Sequence, residues 1–230
     1  MQEPLQWLST LNTGEWFSSL PKKLADALIE DARLFALDKG EALFKRGSHG
    51  DGIYCVLTGS IRITVVSPDG EEALLALLRP SHWFGEICLF DQAARTHDAW
   101  ADSDSLLLKV PQNQLHCLLK EHPEYWQDFG RLLSQKVREL FSAIEASALL
   151  PATPLLASRI LSMAKDLNFQ TDQNAHIIYI SQEQLGLMLS LSRQTINKSL
   201  KELESVGAIV RNRGAVTICS AEKLLQLSRK

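Results

Sequence analysis

The chain has 230 residues, a hydrophobic fraction of 45% and a formal net charge of −3. That length is enough for a sizeable core and favours two domains over one. No apolar run approaches the length of a membrane span, and the N-terminal MQEPLQWLST lacks the charged-then-apolar pattern of a signal region. Cys55, Cys88, Cys117 and Cys219 are scattered without a CxxC pair, so a cytoplasmic protein with reduced thiols and no membrane partner is expected.

Taken from the front, residues 1–36 read as helical. Pro21 opens the stretch Pro21–Ala32, whose Leu24, Leu28 and Ile29 make an apolar face. From Gly40 to Gln112 the pattern changes. IYCVL at Ile53–Leu57, IRITVV at Ile61–Val66 and ALLALL at Ala73–Leu78 are short alternating or β-branched runs, and a further strand-like run covers Ala99 to Val110. Gly47, Gly50, Gly52, Gly59 and Gly70 punctuate them where turns are needed. Short strands at this spacing predict a small antiparallel β-barrel or roll.

A stretch that is not strand-like, Gly85-Glu86-Ile87-Cys88-Leu89-Phe90-Asp91-Gln92-Ala93-Ala94-Arg95-Thr96, interrupts the strands. Gly85 permits close backbone approach, and Glu86–Phe90 can begin a short helix whose free N–H groups suit an anion. Arg95 can close on the same anion with a planar two-pronged donor, and Thr96 adds a hydroxyl. Glu86 would oppose a bare phosphate. It suits sugar hydroxyls beside a singly charged phosphodiester.

His122 to Leu149 returns to helix, with Leu133, Val137, Leu140 and Ile144 alternating at four- and three-residue steps. That spacing is the pattern of a coiled-coil seam, and it predicts a homodimer; the rival is a helix packed on its own barrel. Leu150-Pro151-Ala152-Thr153-Pro154 breaks the helix and supplies a hinge, and Leu155–Lys165 begins a further helix.

The segment Ile180 to Ile218 predicts two short helices, a tight turn and a β-hairpin. Ser181 with Gln184 makes a capping box for a helix burying Leu185 and Leu189. Ser190-Leu191-Ser192 is a three-residue turn in which Ser190 stands where glycine would relieve a positive φ, a strain on the order of 1 kcal/mol. Ser192 caps a second helix with Ile196, Leu200 and Leu203 on one face and Gln194, Asn197, Lys198 and Lys201 on the other. Arg193 projects from its first turn and Gly207 stops it. Ala208–Val210 and Ala215–Ile218 then flank Arg211-Asn212-Arg213-Gly214, a hairpin with a cationic tip. The whole reads as a winged helix-turn-helix that meets double-stranded DNA through Ser192, Arg193, Gln194, Asn197, Lys198, Lys201, Arg211 and Arg213. Charge agrees with this. Residues 151–230 hold 10 Lys+Arg against 6 Asp+Glu, and residues 1–150 hold 14 against 21, so the basic excess lies where phosphates would be met.

The order of roll, cassette G-E-x-x-L-x(5)-R-T, long helix and winged helix-turn-helix resembles the cyclic-AMP receptor protein and fumarate-nitrate reduction regulator (Crp/Fnr) family over nearly the whole chain. The resemblance implies an α+β protein: an effector-sensing β-roll over residues 1–120, a dimerisation helix and hinge over 121–150, and a DNA-binding domain over 151–230. It implies a homodimer on a pseudo-palindromic operator, with RNA polymerase as a candidate partner and a 3′,5′-cyclic mononucleotide as effector, cyclic AMP before cyclic GMP. By that likeness Gly85, Ile87 and Cys88 offer backbone contacts near the phosphate, Glu86 meets the ribose 2′-hydroxyl, and Arg95 with Thr96 holds the cyclic phosphate. Where cyclic-AMP-responsive members carry adjacent hydroxyl residues against adenine, the nearest alignment gives Leu140 and Phe141, with Ser142 one step beyond, which puts the base readout in question. Gln194 and Lys198 also depart from the family's acidic residue and arginine, so a different operator is expected.

Rival readings are an empty or differently liganded pocket on the same regulator, and a cyclic-nucleotide module acting through a protein partner. No cysteine precedes Cys55, against an iron–sulfur cluster, and Cys88, His82 and His97 are a weak case for haem. No metal site, cofactor or catalytic constellation is expected, so the chain does not read as an enzyme.

Overall fold

The computed structural model describes residues 4–165 and 176–229, which belong to two compact units, Met1–Val137 and Arg138–Lys230. The first unit starts with a 3-10 turn at Pro4–Trp7 and three helices: α1 (Leu8–Leu11), α2 (Glu15–Ser18) and α3 (Lys22–Glu30). The sequence reading carried helix to residue 36. The chain instead leaves helix at Asp31 and enters strand β1 (Arg33–Leu37). RLFAL is a short apolar run that periodicity alone cannot assign. Its alternation decides in the fold: Leu34 faces the helical core, and Phe35 and Leu37 face the interior of the roll.

Strands β2 (Ala42–Phe44), β3 (Gly52–Thr58), β4 (Ile61–Val66), β5 (Glu72–Leu78) and β6 (Trp83–Phe84) follow. After helix α4 (Ile87–Asp91) come β7 (Asp98–Ala101) and β8 (Ser105–Pro111). They form two antiparallel four-stranded sheets, ordered β1-β8-β3-β6 and β2-β7-β4-β5. Tyr54, Val56, Phe84 and Leu107 from the first sheet and Ile61, Ala99 and Ala101 from the second share one buried cluster, the interior of a β-roll. The other face of the first sheet is covered by helices, where Ile53, Cys55, Leu57, Leu108 and Val110 meet Leu11, Trp16, Phe17, Leu24 and Leu28. Buried on both faces, β3 reads as the continuous apolar run IYCVL rather than as an alternation. At Gly59, with φ 78°, a Cβ would stand 2.3 Å from the Asp104 carbonyl oxygen, so the β3–β4 turn admits no side chain there. Gly50 is needed for a different reason: its φ is not positive, but a Cβ would sit 2.4 Å from Cys88 Cβ.

Helix begins again earlier than the sequence reading had it. Helix α5 (Gln112–Glu121) packs Leu115 and Leu119 inward, a break at His122 leads through the 3-10 turn Pro123–Tyr125, and the long helix α6 (Trp126–Leu149) follows. The first turns of α6 bury Phe129 and Leu132 in the helical core, anchoring it to the roll.

The second unit holds the rest of α6 and α7 (Ala152–Lys165), β9 (His176–Tyr179), α8 (Gln182–Leu189), α9 (Arg193–Ser205), β10 (Ile209–Asn212), β11 (Ala215–Ile218) and α10 (Ala221–Leu227). The breaker between α6 and α7 is shorter than the sequence reading had it, because Thr153 and Pro154 already stand in the first turn of α7. Leu156 and Ile160 of α7, Leu185 of α8 and Ile196, Leu200 and Leu203 of α9 join Ile178, Ile209, Val216 and Leu224 in one core. The hairpin β10–β11 gains a third strand, β9, unforeseen from sequence, in the order β10-β11-β9. Helix α10, also unforeseen, closes the unit.

Candidate effector pocket and nucleic-acid interface

The cassette lies between β6 and β7 and turns on Gly85, whose φ is 93°. A Cβ at Gly85 would stand 2.8 Å from Arg95 Nη1, so the missing side chain is what lets the guanidinium in. Arg95 is 4% exposed. Its Nη1 donates to the Gly85 carbonyl (3.0 Å), and its Nη2 donates to the Gly52 carbonyl (3.0 Å) and to Asp51 Oδ1 (2.8 Å). Arg95 Nε is buried with no partner. The guanidinium carbon lies 4.3 Å from the centre of the Phe44 ring, within reach of a cation–π attraction. Tyr54 stacks on Phe84 at 5.5 Å and stands 6.0 Å from Phe44, which gives the roll interior an aromatic wall beside the cation.

Asp51 balances that cation. It also accepts from Tyr54 Oη (2.6 Å) and from Lys109 Nζ. Burial by itself would push its carboxyl up, but the hydrogen bonds from Lys109, Tyr54 and Arg95 outweigh it and hold the group below its ordinary value. Burial, then the Asp51 carboxylate, push the Tyr54 phenol well up, so its proton stays in place as a donor.

Glu86 is 1% exposed and forms an ion pair with Lys136 Nζ of α6 at 2.7 Å. The cassette's acidic residue is thus met by a cation from the long helix. Cys88 is buried as a free thiol and its carbonyl accepts weakly from Gln112 Nε2 (3.4 Å), whereas Ile87 is exposed. Arg95 and Thr96, expected to act together, are divided. Arg95 turns inward, and Thr96 is exposed and shares a hydrogen bond of 2.8 Å with His97 Nδ1. Burial, then Arg46, hold the His97 imidazole below its ordinary value.

Sequence reasoning missed Asp51, Lys109 and Lys136. Asp51 stood between Gly50 and Gly52, and the only signal was an acidic residue where the chain otherwise turns on glycine. Lys136 lies next to Val137 of the apolar seam. Along α6, Leu133 is half-buried, while Val137, Leu140, Phe141 and Ile144 are 41%, 60%, 67% and 55% exposed.

In the second unit the capping box is complete. Ser181 Oγ accepts from Gln184 N (3.1 Å), and Gln184 Oε1 accepts from Ser181 N (2.9 Å). Ser190 takes the left-handed position at φ 55°, and Ser192 caps α9 by accepting from Thr195 N (3.1 Å). Arg193, Gln194, Lys198 and Lys201 are exposed along α9, so the structure brings these four together. Arg213 is exposed in the hairpin turn with Gly214 at φ 74°.

Arg211 is not at the tip. It belongs to β10, and its side chain runs back to α9, bonding Glu204 and Asn197. The Arg211 guanidinium and backbone N–H hold the Glu204 carboxyl below its ordinary value. A cavity of about 370 Å³ lies between the start of α7 and α9, lined by Pro151, Thr153, Pro154, Thr195, Lys198 and Glu202 among others. There Thr153 Oγ1 donates to Glu202 Oε2 (2.5 Å) and lies within hydrogen-bond distance of Ser199 Oγ (3.0 Å), fixing the start of α7 against the second helix of the motif. Among the described residues no group of three or more His, Cys, Asp or Glu could hold a metal ion, and no helix is long and apolar enough to cross a membrane.

Two families match in succession: the cyclic nucleotide-binding domain over residues 34–122 and the Crp-like helix-turn-helix domain over residues 156–227. The chain belongs to the Crp/Fnr family. Its members are transcription regulators, not enzymes. Over 214 residues this Crp/Fnr protein is 24% identical to a CRP-like cAMP-activated global transcriptional regulator of Mycobacterium tuberculosis, covering 93% of this chain and 96% of that one. A solved CRP/FNR-family transcriptional regulator from Thermus thermophilus is 25% identical, with a TM-score of 0.66 over 86% of this chain and 99% of that one. FixK2 from Bradyrhizobium japonicum shares the fold at a TM-score of 0.75 and 18% identity, over 85% of this chain and 96% of that one.

Proposed function

We propose that this Crp/Fnr regulator is a cytoplasmic homodimer that binds a pseudo-palindromic DNA site under the control of a 3′,5′-cyclic mononucleotide, cyclic AMP before cyclic GMP. One observation carries the effector: a guanidinium that is 4% exposed, with its Nε unsatisfied, bonded to the backbone of the residue preceding a buried carboxylate. A cation this deep keeps an anion and a carboxylate this deep keeps a donor, here Asp51 and Lys136, and an effector must offer replacements. A cyclic nucleotide brings both, a singly charged phosphodiester for Arg95 and a ribose hydroxyl for Glu86, with Gly85, Ile87 and Cys88 offering backbone and Thr96 turning from His97 to join. The Mycobacterium tuberculosis relative is a cAMP-activated regulator, which supports this choice.

Dimerisation rests on the seam of Val137, Leu140 and Ile144, with Leu133 at its start, whose exposure leaves an apolar face for a second copy. The exposed cations and amide of α9, with Arg213 on the wing, would meet phosphates and bases, and RNA polymerase is the partner through which the regulator would act on transcription. Effector control requires that the nucleotide bind one dimer arrangement better than the other. The pair Glu86–Lys136 gives α6 a direct contact with the cassette.

A second reading keeps the regulator and empties the pocket. It is favoured by Arg95 already holding Asp51, and by Glu86 already holding Lys136. Isothermal titration of cyclic AMP and cyclic GMP into the full chain, repeated with Arg95→Ala, separates the two. Saturable heat that the substitution abolishes supports nucleotide control. No heat with either nucleotide, in protein that still shifts DNA, supports the empty pocket.

A further inference from the structure

The wing and the second helix of the motif are tied by one arginine. Arg211 Nε donates to Glu204 Oε2 at 2.7 Å, its Nη2 lies 2.6 Å from the same oxygen, and its backbone N–H donates to Glu204 Oε1 at 3.1 Å. Its remaining arm, Nη1, donates to Asn197 Oδ1 at 3.3 Å. Glu204 cancels the charge and fixes the plane of the guanidinium, which makes Arg211 a poor phosphate contact and a rigid one for its neighbour.

A guanidinium has donors only, so the Asn197 amide must turn its oxygen toward Arg211 and its nitrogen away. Asn197 stands one helical turn after Arg193 and three residues after Gln194, on the face of α9 that carries the exposed cations. With one lone pair of Oδ1 held by Arg211, the other lone pair and the two Nδ2 hydrogens are left for the groove. That acceptor–donor edge matches the N6 and N7 of adenine. We propose that Arg211 is a positioning residue, held by Glu204, that presets the amide of Asn197, and that Asn197 thereby reads one adenine of the operator. Freed from Arg211, the amide can present its two ends in either order, and the match to adenine is lost in half of them.

The inference rests on sequence-specific DNA binding, and the test separates the two. The full chain, with and without cyclic AMP, is used to select from a pool of randomised duplexes, alongside Asn197→Ala, Arg211→Met and Arg211→Lys. The enriched duplex is then bound at several salt concentrations. One position should prefer adenine by roughly 10–100-fold in the parent and only a few-fold in Asn197→Ala. Arg211→Met and Arg211→Lys should lose the same preference while leaving the slope of log K against log salt unchanged. Arg211→Lys keeps the wing's charge but cannot span both partners, so it guards against a mere folding defect. A slope reduced by roughly one in Arg211→Met, with every base preference intact, would make Arg211 a phosphate contact and overturn the inference. So would an Asn197→Ala variant in which no position changes. A parent protein that enriches no sequence would instead remove sequence-specific binding itself.

Discussion

An aspartate at Leu140 should separate the protomers and take operator binding with it. Val137, Leu140 and Ile144 average about half exposed along α6, and full burial of such side chains is worth about 1.5–3 kcal/mol each. Covering what is exposed therefore gains about 1 kcal/mol or slightly more per residue, or about 7 kcal/mol for two copies. Association costs about 4–15 kcal/mol in lost freedom, a cost of the same size as the gain, so each seam residue weighs heavily in the balance. Leu140→Asp removes about 1.5 kcal/mol of that gain from each protomer, and the two carboxylates then face each other across a twofold seam. The loss exceeds about 3 kcal/mol per dimer, more than 100-fold in the dimer dissociation constant. Sedimentation equilibrium reads the dimer directly, and a mobility shift on a selected palindromic duplex reads the consequence. Val137→Asp should behave alike, because it lies one turn earlier on the same face. A Leu140→Asp monomer that binds the full palindrome as tightly as the parent would refute the seam, as would a dimer that survives both substitutions.

Three further outcomes are expected. Lys136→Met strands the Glu86 carboxylate, whose side chain is 2% exposed, and should cost about 2–3 kcal/mol in urea unfolding; adding Glu86→Gln should return most of it, and a neutral single variant would contradict the pairing. Because the folded protein holds His97 below its ordinary 6.5, the unfolded chain binds that proton more readily, so this residue's stabilisation is full above pH 6.5 and declines as pH falls below it. His97→Asn should flatten the melting temperature against pH in that window, and an unaltered curve would place the titration elsewhere. Ser190→Gly relieves a non-glycine residue at φ 55° and should raise stability by up to about 1 kcal/mol; a lower melting temperature would mean that the hydroxyl matters more than the strain.

What the sequence disclosed and what it withheld divide by distance along the chain. The capping box of Ser181 and Gln184, the cap at Ser192 and the left-handed Ser190 depend on neighbours within a turn, and all were legible. The cassette was legible as a motif, but not the internal partners of its ionic residues, because Asp51 is 44 residues from Arg95, and Lys136 is 50 from Glu86. The freedom of two donors was also misjudged, because residue type does not reveal a side chain's partner. Arg211 and Thr96 look like solvent-facing donors by residue type, yet Arg211 is spent on Glu204 and Asn197, and Thr96 on His97. Strand β1 was read as helix because RLFAL carries no local period that excludes it, and its identity comes from pairing with β8 from Arg33↔Lys109 to Leu37↔Ser105. Helix α10 was the avoidable omission, since Ser220 accepts from Lys223 N at 3.3 Å as an ordinary cap.

The internal pairing of the cassette also bounds what any effector can do. Arg95 and Glu86 are both satisfied by the chain itself, so a nucleotide reaching them exchanges partners and does not simply fill vacancies. Its phosphate must match what Asp51 gives Arg95, although the unpartnered Nε leaves one donor to be gained outright. Its ribose must compete with or share the Lys136 contact at Glu86. Affinity is then a small difference between large electrostatic terms, and modest binding is the natural result. Control does not need tight binding. It needs the two dimer arrangements to differ in how well they bind the effector, and Lys136 offers such a difference because it lies on α6 beside Val137. In the proposed dimer, a ligand at Glu86 would alter the partner of Lys136, which borders the seam, so the same ion pair that lowers affinity would link the pocket to the helix of the interface.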